Sequence, residues 1–147
     1  MVLNTTQTNK DNDEMFNQML GKSFSLWKSL KMGGIGSGRM VIQKVSPNLN
    51  HVMNFASSIN YGSIELRPKG ILLHITKGLY NYSWAIPFYQ LVIYKTDSLS
   101  IHAQGKFVQF QNNRLLKENK HFFEKLRKAK RSYLEEIGFG DMQAYKD

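Results

Sequence analysis

Apolar and polar residues alternate with a period of two over most of the stretch from Tyr61 to Gln111. The period then changes to that of a helix at Asn112 and Asn113. Ile64 and Leu66 alternate with Ser63, Glu65 and Arg67; the turn sequence RPKG follows, and ILLHIT returns with Ile71, Leu73 and Ile75 on one face. That pattern predicts a β-hairpin. YNYSWAI then places Tyr80, Tyr82, Trp84 and Ile86 on one side of a strand and Asn81, Ser83 and Ala85 on the other, with Pro87 to end it. Three more short strands, QLVIYK, SLSIHA and KFVQFQ, are separated by TDS and QGK turns. Beyond them Leu116, Phe122, Phe123, Leu126, Ala129, Tyr133 and Ile137 form the apolar stripe of a helix that asparagine opens and Gly138 and Gly140 close.

The N-terminal third is patterned differently. Residues 1–14 offer almost nothing to bury and read as a disordered tail. Residues 15–32 place Phe16, Met19, Leu20, Phe24, Trp27 and Leu30 at helical spacing, with Lys22, Lys28 and Lys31 elsewhere, which predicts an amphipathic helix. Residues 33–39, GGIGSGR, read as a glycine-rich hinge; a phosphate-cradling loop is the disfavoured alternative, since they carry neither GxGxxG nor a following GK[ST]. Residues 40–137 then form the main unit, opening on a strand over 40–45 and leaving 138–147 as a tail. Ser46 and Pro47 suit a helix start, after which Leu49, Val52, Met53, Ala56 and Ile59 keep helical spacing, with a strand through HVMNFA as the alternative.

With 41% hydrophobic residues over 147 positions the chain can build one real core. The lack of cysteine removes disulfides, zinc-thiolate sites and cysteine nucleophiles. No run approaches the roughly 20 apolar residues of a membrane span, and the opening residues have no signal-peptide pattern, so the expectation is a cytoplasmic protein, peripheral to the membrane if it meets one. The formal charge of +9 is unevenly spread: no acidic residue stands between Glu14 and Glu65.

The order of short antiparallel strands and one closing helix, carried by IELRPKGILLHI, YSWAIPFYQLVIYKTDSLSIHAQGKFVQF and FFEKLRKAK, resembles the bacterial PH-like branch of the pleckstrin-homology superfold over roughly residues 38 to 137. Turn glycines Gly70 and Gly105 and the Ile86–Leu91 corner belong to the same resemblance. It implies a mostly β fold with α: a partly open antiparallel barrel of about seven strands, closed by a long C-terminal helix and here preceded by the N-terminal amphipathic helix. Across that superfold such barrels bind lipid headgroups, peptides or other domains. The basic pattern of phosphoinositide-binding members is not matched, since its region offers only Arg39 and Lys44, and the closing helix carries Phe122 and Phe123 where eukaryotic members have tryptophan.

Chemistry-bearing residues are sparse. His51, His74, His102 and His121 lie on separate elements without metal-ligand spacing, no GxSxG elbow exists, and Glu65 and Asp97 are the sole acids of the strand region. The expectation is a non-catalytic binding module without cofactor or metal, contacting a protein partner or an anionic membrane surface. A nucleic-acid-associated protein and a small-molecule-binding barrel are the alternatives. Two contact regions stand out. One is the helix run Lys120, Lys125, Arg127, Lys128, Lys130 and Arg131, where Glu124 can pair with Lys120 and Lys128, and Arg131 with Glu135. The other is the N-terminal segment bearing Phe16, Phe24, Trp27, Lys28 and Lys31, for which packing on the barrel is the favoured reading and docking the sharper one.

Overall fold

The computed structural model describes residues 2–7, 9–53 and 59–138. Eight antiparallel strands form one curved, open sheet in the order β1-β5-β4-β3-β2-β8-β7-β6. Four of them, β2 (Met40–Val45), β3 (Asn60–Arg67), β4 (Gly70–Lys77) and β5 (Tyr80–Pro87), make a meander, and β6 (Val92–Lys95), β7 (Leu99–Ala103) and β8 (Lys106–Phe110) make a second. β2 joins the two. Its first half pairs β3 through Met40 with Gly62, its second half pairs β8 through Val45 with Val108, and a register shift between Ile42 and Lys44 lets the strand bend from one meander into the other. This is the expected partly open antiparallel barrel closed by a C-terminal helix, with one strand more than seven: β1 (Val2–Asn4) adds to the free edge of β5.

Met40, Ile64, Leu66, Ile71, Leu73, Ile75, Trp84, Ile86, Ile101, Val108 and Phe110 line the concave side and are essentially sealed from solvent. The closing helix completes this core, although a joint interrupts it. α3 (Arg114–Glu118) is capped by Asn113, whose Oδ1 accepts from Leu116 N at 3.2 Å, and α4 (Lys120–Glu136) follows after Asn119. Leu116, Phe122, Phe123 and Leu126 enter the core as the periodicity predicts. At the far end Leu134 is buried and Ile137 is exposed, so the stripe ends three residues before the expected place.

The convex side of the sheet is also partly covered. Here the expected disordered tail over 1–14 is corrected, because residues 2–4 form β1 and Lys10–Leu20 form α1. Asn9 Oδ1 accepts from Asp11 N and Asn12 N, and Asp11 and Asp13 sit in the first turn, where the helix dipole favours negative charge. Phe16 and Leu20 pack on Leu72 and Ala85, the residues that point away from the main core. The expected single helix over 15–32 is corrected too. Gly21, at φ 79°, ends α1, and a second short helix, α2 (Leu26–Lys31), starts from Ser25.

The expected hinge over 33–39 is tied down. Ser37 N donates to Ile64 O at 2.8 Å, Leu66 N to Ile35 O at 2.7 Å and Gly38 N to Asn119 Oδ1 at 2.8 Å, so the segment runs beside β3 as a strap. Pro47–Val52 is a 3-10 helix, and Met53 after it is extended. Its expected continuation through residues 54–58 lies outside the described residues. Gly138 is an exposed turn residue, and the rest of the 138–147 tail also lies outside them.

Candidate interaction surface on α2 and α4

The spacing of Phe16, Met19, Leu20, Phe24, Trp27 and Leu30 suits one face of an unbroken helix, but the break at Gly21 divides that face. Phe16 and Leu20 go under the sheet, Phe24 packs half-buried against the main core, and Trp27 and Leu30 turn to solvent. The break is enforced from outside the helix. Arg67 Nη1 donates to Gly21 O at 3.0 Å and to Asn17 Oδ1 at 3.2 Å, and Lys69 N donates to Leu20 O at 2.8 Å, so the β3–β4 turn holds the end of α1.

α2 buries none of its residues. Leu26 and Trp27 are each 77% exposed and Leu30 66%, while Lys22, Lys28 and Lys31 of the same segment are also exposed. The favoured expectation, that Trp27 packs on the barrel, is therefore corrected: Phe24, Met32 and Ile35 on either side make the core contacts and hold α2 outward. Ser25 Oγ accepts from Lys28 N at 3.2 Å and caps the helix. The result is an exposed apolar ridge on a fixed mount, in a segment that also carries three exposed lysines. Leu26 does not stand on the predicted face, although it lies four residues before Leu30 in the same helix and that spacing was the available signal.

α4 does not present its cations as one surface. Lys120, Arg127, Lys128 and Arg131 are exposed and Lys130 is half-buried. Lys125 reaches across to the strap, its Nζ donating to Gly34 O at 2.9 Å, and so fastens the end of α2 beside α4. Glu124 lies 3.6 Å from His121 Nδ1, with no ion pair to Lys120 or Lys128. Lys120 and Arg127, seven residues apart and hence on one side of the helix, share a groove of about 340 Å³ with Lys117 and with Lys95 at the end of β6. Asp97 and Glu124 also line that groove, and Leu116 and Phe123 contribute apolar surface. Lys95 and Lys117 carried no sequence signal, since only the fold brings the turn to the helix.

A polar chain crosses the convex face of the sheet. Thr5 Oγ1 lies 2.7 Å from Ser83 Oγ, Ser83 Oγ lies 2.9 Å from His74 Nδ1, and His74 Nε2 lies 3.8 Å from Glu65 Oε1. Glu65 is bonded in turn to Arg67 Nε. His74, opposed by burial and helped by Arg67, lowers the Glu65 carboxyl to about 2. The order Ser-His-Glu is that of a hydrolase relay, but Ser83 is 1% exposed and its hydroxyl is already engaged by Thr5 and His74. This chain fastens the N-terminal segment to the sheet. Among the described residues no group of three or more His, Cys, Asp or Glu is placed to hold a metal ion, and no helix is long and apolar enough to cross a membrane.

Compared with protein-family models and with curated proteins, the chain matches none.

Proposed function

We propose that this protein is a non-catalytic PH-like binding module whose principal contact is the ridge of Leu26, Trp27 and Leu30 with the lysines of the same segment. One observation carries the reading: a capped, anchored helix that buries nothing and holds three large apolar side chains in water. Exposed apolar surface of that kind is retained where a partner covers it. The engaged state of Ser83 and Glu65 supports a structural and not a catalytic use of the polar chain.

Fractionation of a native lysate tests the proposal. The wild-type chain, added to lysate, is expected to leave the monomer position and move with membranes or with a larger soluble complex, and Leu26→Ser with Leu30→Ser is expected to remain monomeric. Identical behaviour of the two proteins would overturn the reading.

The groove between α4 and the β6–β7 turn supports a second reading, a site for a small organic anion, because four cations there face two carboxylates.

A further inference from the structure

The ridge on α2 is defined well enough in shape and charge to say what covers it. We propose that its occupant is the interfacial zone of an anionic lipid bilayer, with Leu26, Trp27 and Leu30 below the headgroups and Lys22, Lys28 and Lys31 against the phosphates. This rests on the docking reading above and names its partner.

Size is the first argument. Six helical residues span about 9 Å, and the apolar part is three side chains wide. A stable protein interface needs about 800 Å² on each partner, built around pockets that receive the anchors. A short convex ridge makes a poor half of such an interface. A bilayer needs no matching pocket, because its acyl boundary is fluid and takes up apolar side chains to a depth of about 5–10 Å.

Side-chain chemistry gives the second. Tryptophan is the residue best suited to the headgroup boundary, where its ring is buried and its N–H stays hydrated, and the flanking leucines supply aliphatic area. Nucleic acid would use the ring but has no place for two leucines.

Charge decides between the bilayer and a second copy of the chain. A two-fold contact lays the same patch on itself, so the lysines of one copy would be brought up to the equally basic patch of the other. No acidic residue lies between Glu14 and Glu65 to offset them within the segment. An anionic surface instead turns each lysine into an attraction, worth about fivefold in affinity.

Pre-organisation is the fourth. Ser25 caps α2, Phe24, Met32 and Ile35 seat it, and Lys125 holds Gly34 just beyond it. The ridge enters the interface without first having to fold, unlike segments that become helical only on binding.

The two tryptophans provide a built-in probe. Trp84 is fully buried, its Nε1 donating to Gln104 Oε1 at 3.1 Å, whereas Trp27 is exposed. The full-length chain is titrated with phosphatidylcholine vesicles, with and without phosphatidylserine, while tryptophan emission and sedimentation with vesicles are followed. With phosphatidylserine present at low salt, emission is expected to shift to the blue and to be quenched by brominated acyl chains. Trp27→Phe removes the emission response. Leu26→Ser with Leu30→Ser lowers partitioning at least about tenfold, and vesicles without phosphatidylserine bind about a hundredfold more weakly.

Unchanged Trp27 emission with anionic vesicles would overturn the bilayer proposal, and so would vesicle binding that ignores the leucine variant. If emission is unchanged while that variant still loses its complex in lysate, the bilayer falls and the docking reading stands with a protein occupant. If both measurements are unmoved, both readings fall.

Discussion

Glu65 shows how single positions on the convex face keep the N-terminal segment in place. Its carboxylate is held by His74 and Arg67, and Arg67 in turn bonds to Asn17 and to the Gly21 carbonyl where α1 ends. The carboxyl titrates near 2 in the fold against an ordinary 4.5, so the stability it contributes is fully present above that ordinary value and is lost as pH falls toward 2. Glu65→Gln is expected to lower stability near neutral pH by on the order of 2 kcal/mol. The gap to wild type should narrow below about pH 4.5 and close only as pH falls through about 2, as read by denaturant unfolding at each pH. A gap that persists undiminished in acid would show that the charge is not what matters.

Glycine at position 70 was legible as a turn residue, but its deeper constraint was not. A Cβ there would strike the backbone of β5 at Ile86 O and Pro87 Cα, and would also lie 2.8 Å from Leu20 Cδ2 of α1 on the same face. Nothing in the local pattern indicates a helix overhead. Leu72, between Ile71 and Leu73, was the available hint that the second face of β4 is apolar too.

Among the elements, strands that alternate regularly were readable and joints were not. β3, β4, β5, β7 and β8 fall where alternation and turn residues place them, since one face of each meets the core. The two helical breaks have tertiary causes. Residues 10–31 divide at Gly21 because the β3–β4 turn captures the backbone there, and the closing helix divides at Asn119 because its side chain serves two masters. Asn119 Nδ2 donates to Leu115 O at 2.8 Å and its Oδ1 accepts from Gly38 N at 2.8 Å, in a residue 8% exposed. Asn119→Ala leaves Gly38 N–H without that acceptor and is expected to cost about 1–3 kcal/mol, seen as a lower thermal midpoint. Backbone amide exchange should quicken over residues 35–38 before it does in β4. Uniform exchange across both would show that the strap does not depend on this joint.

At the scale of the whole molecule, the open barrel serves as a rigid mount, and the N-terminal elements are fastened to its outside. β1 and α1 cover one edge and part of the convex face, and α2 is held out next to α4. The barrel and the closing helix were legible because burial imposes a period on the sequence. The interaction surface was legible only in part: its lysines and Trp27 stood out, but whether Trp27 faces the core or the solvent depends on a break set by Arg67 and Lys69, far along the chain.

The docking reading and the bilayer proposal both depend on Trp27 being displayed in the free chain. Acrylamide quenching of tryptophan emission tests that directly. Two populations are expected, one readily quenched and one protected, and Trp27→Phe should remove the accessible one while leaving protected Trp84. If the wild-type emission is protected throughout, Trp27 packs on the barrel in solution and the α2 ridge is not a docking surface.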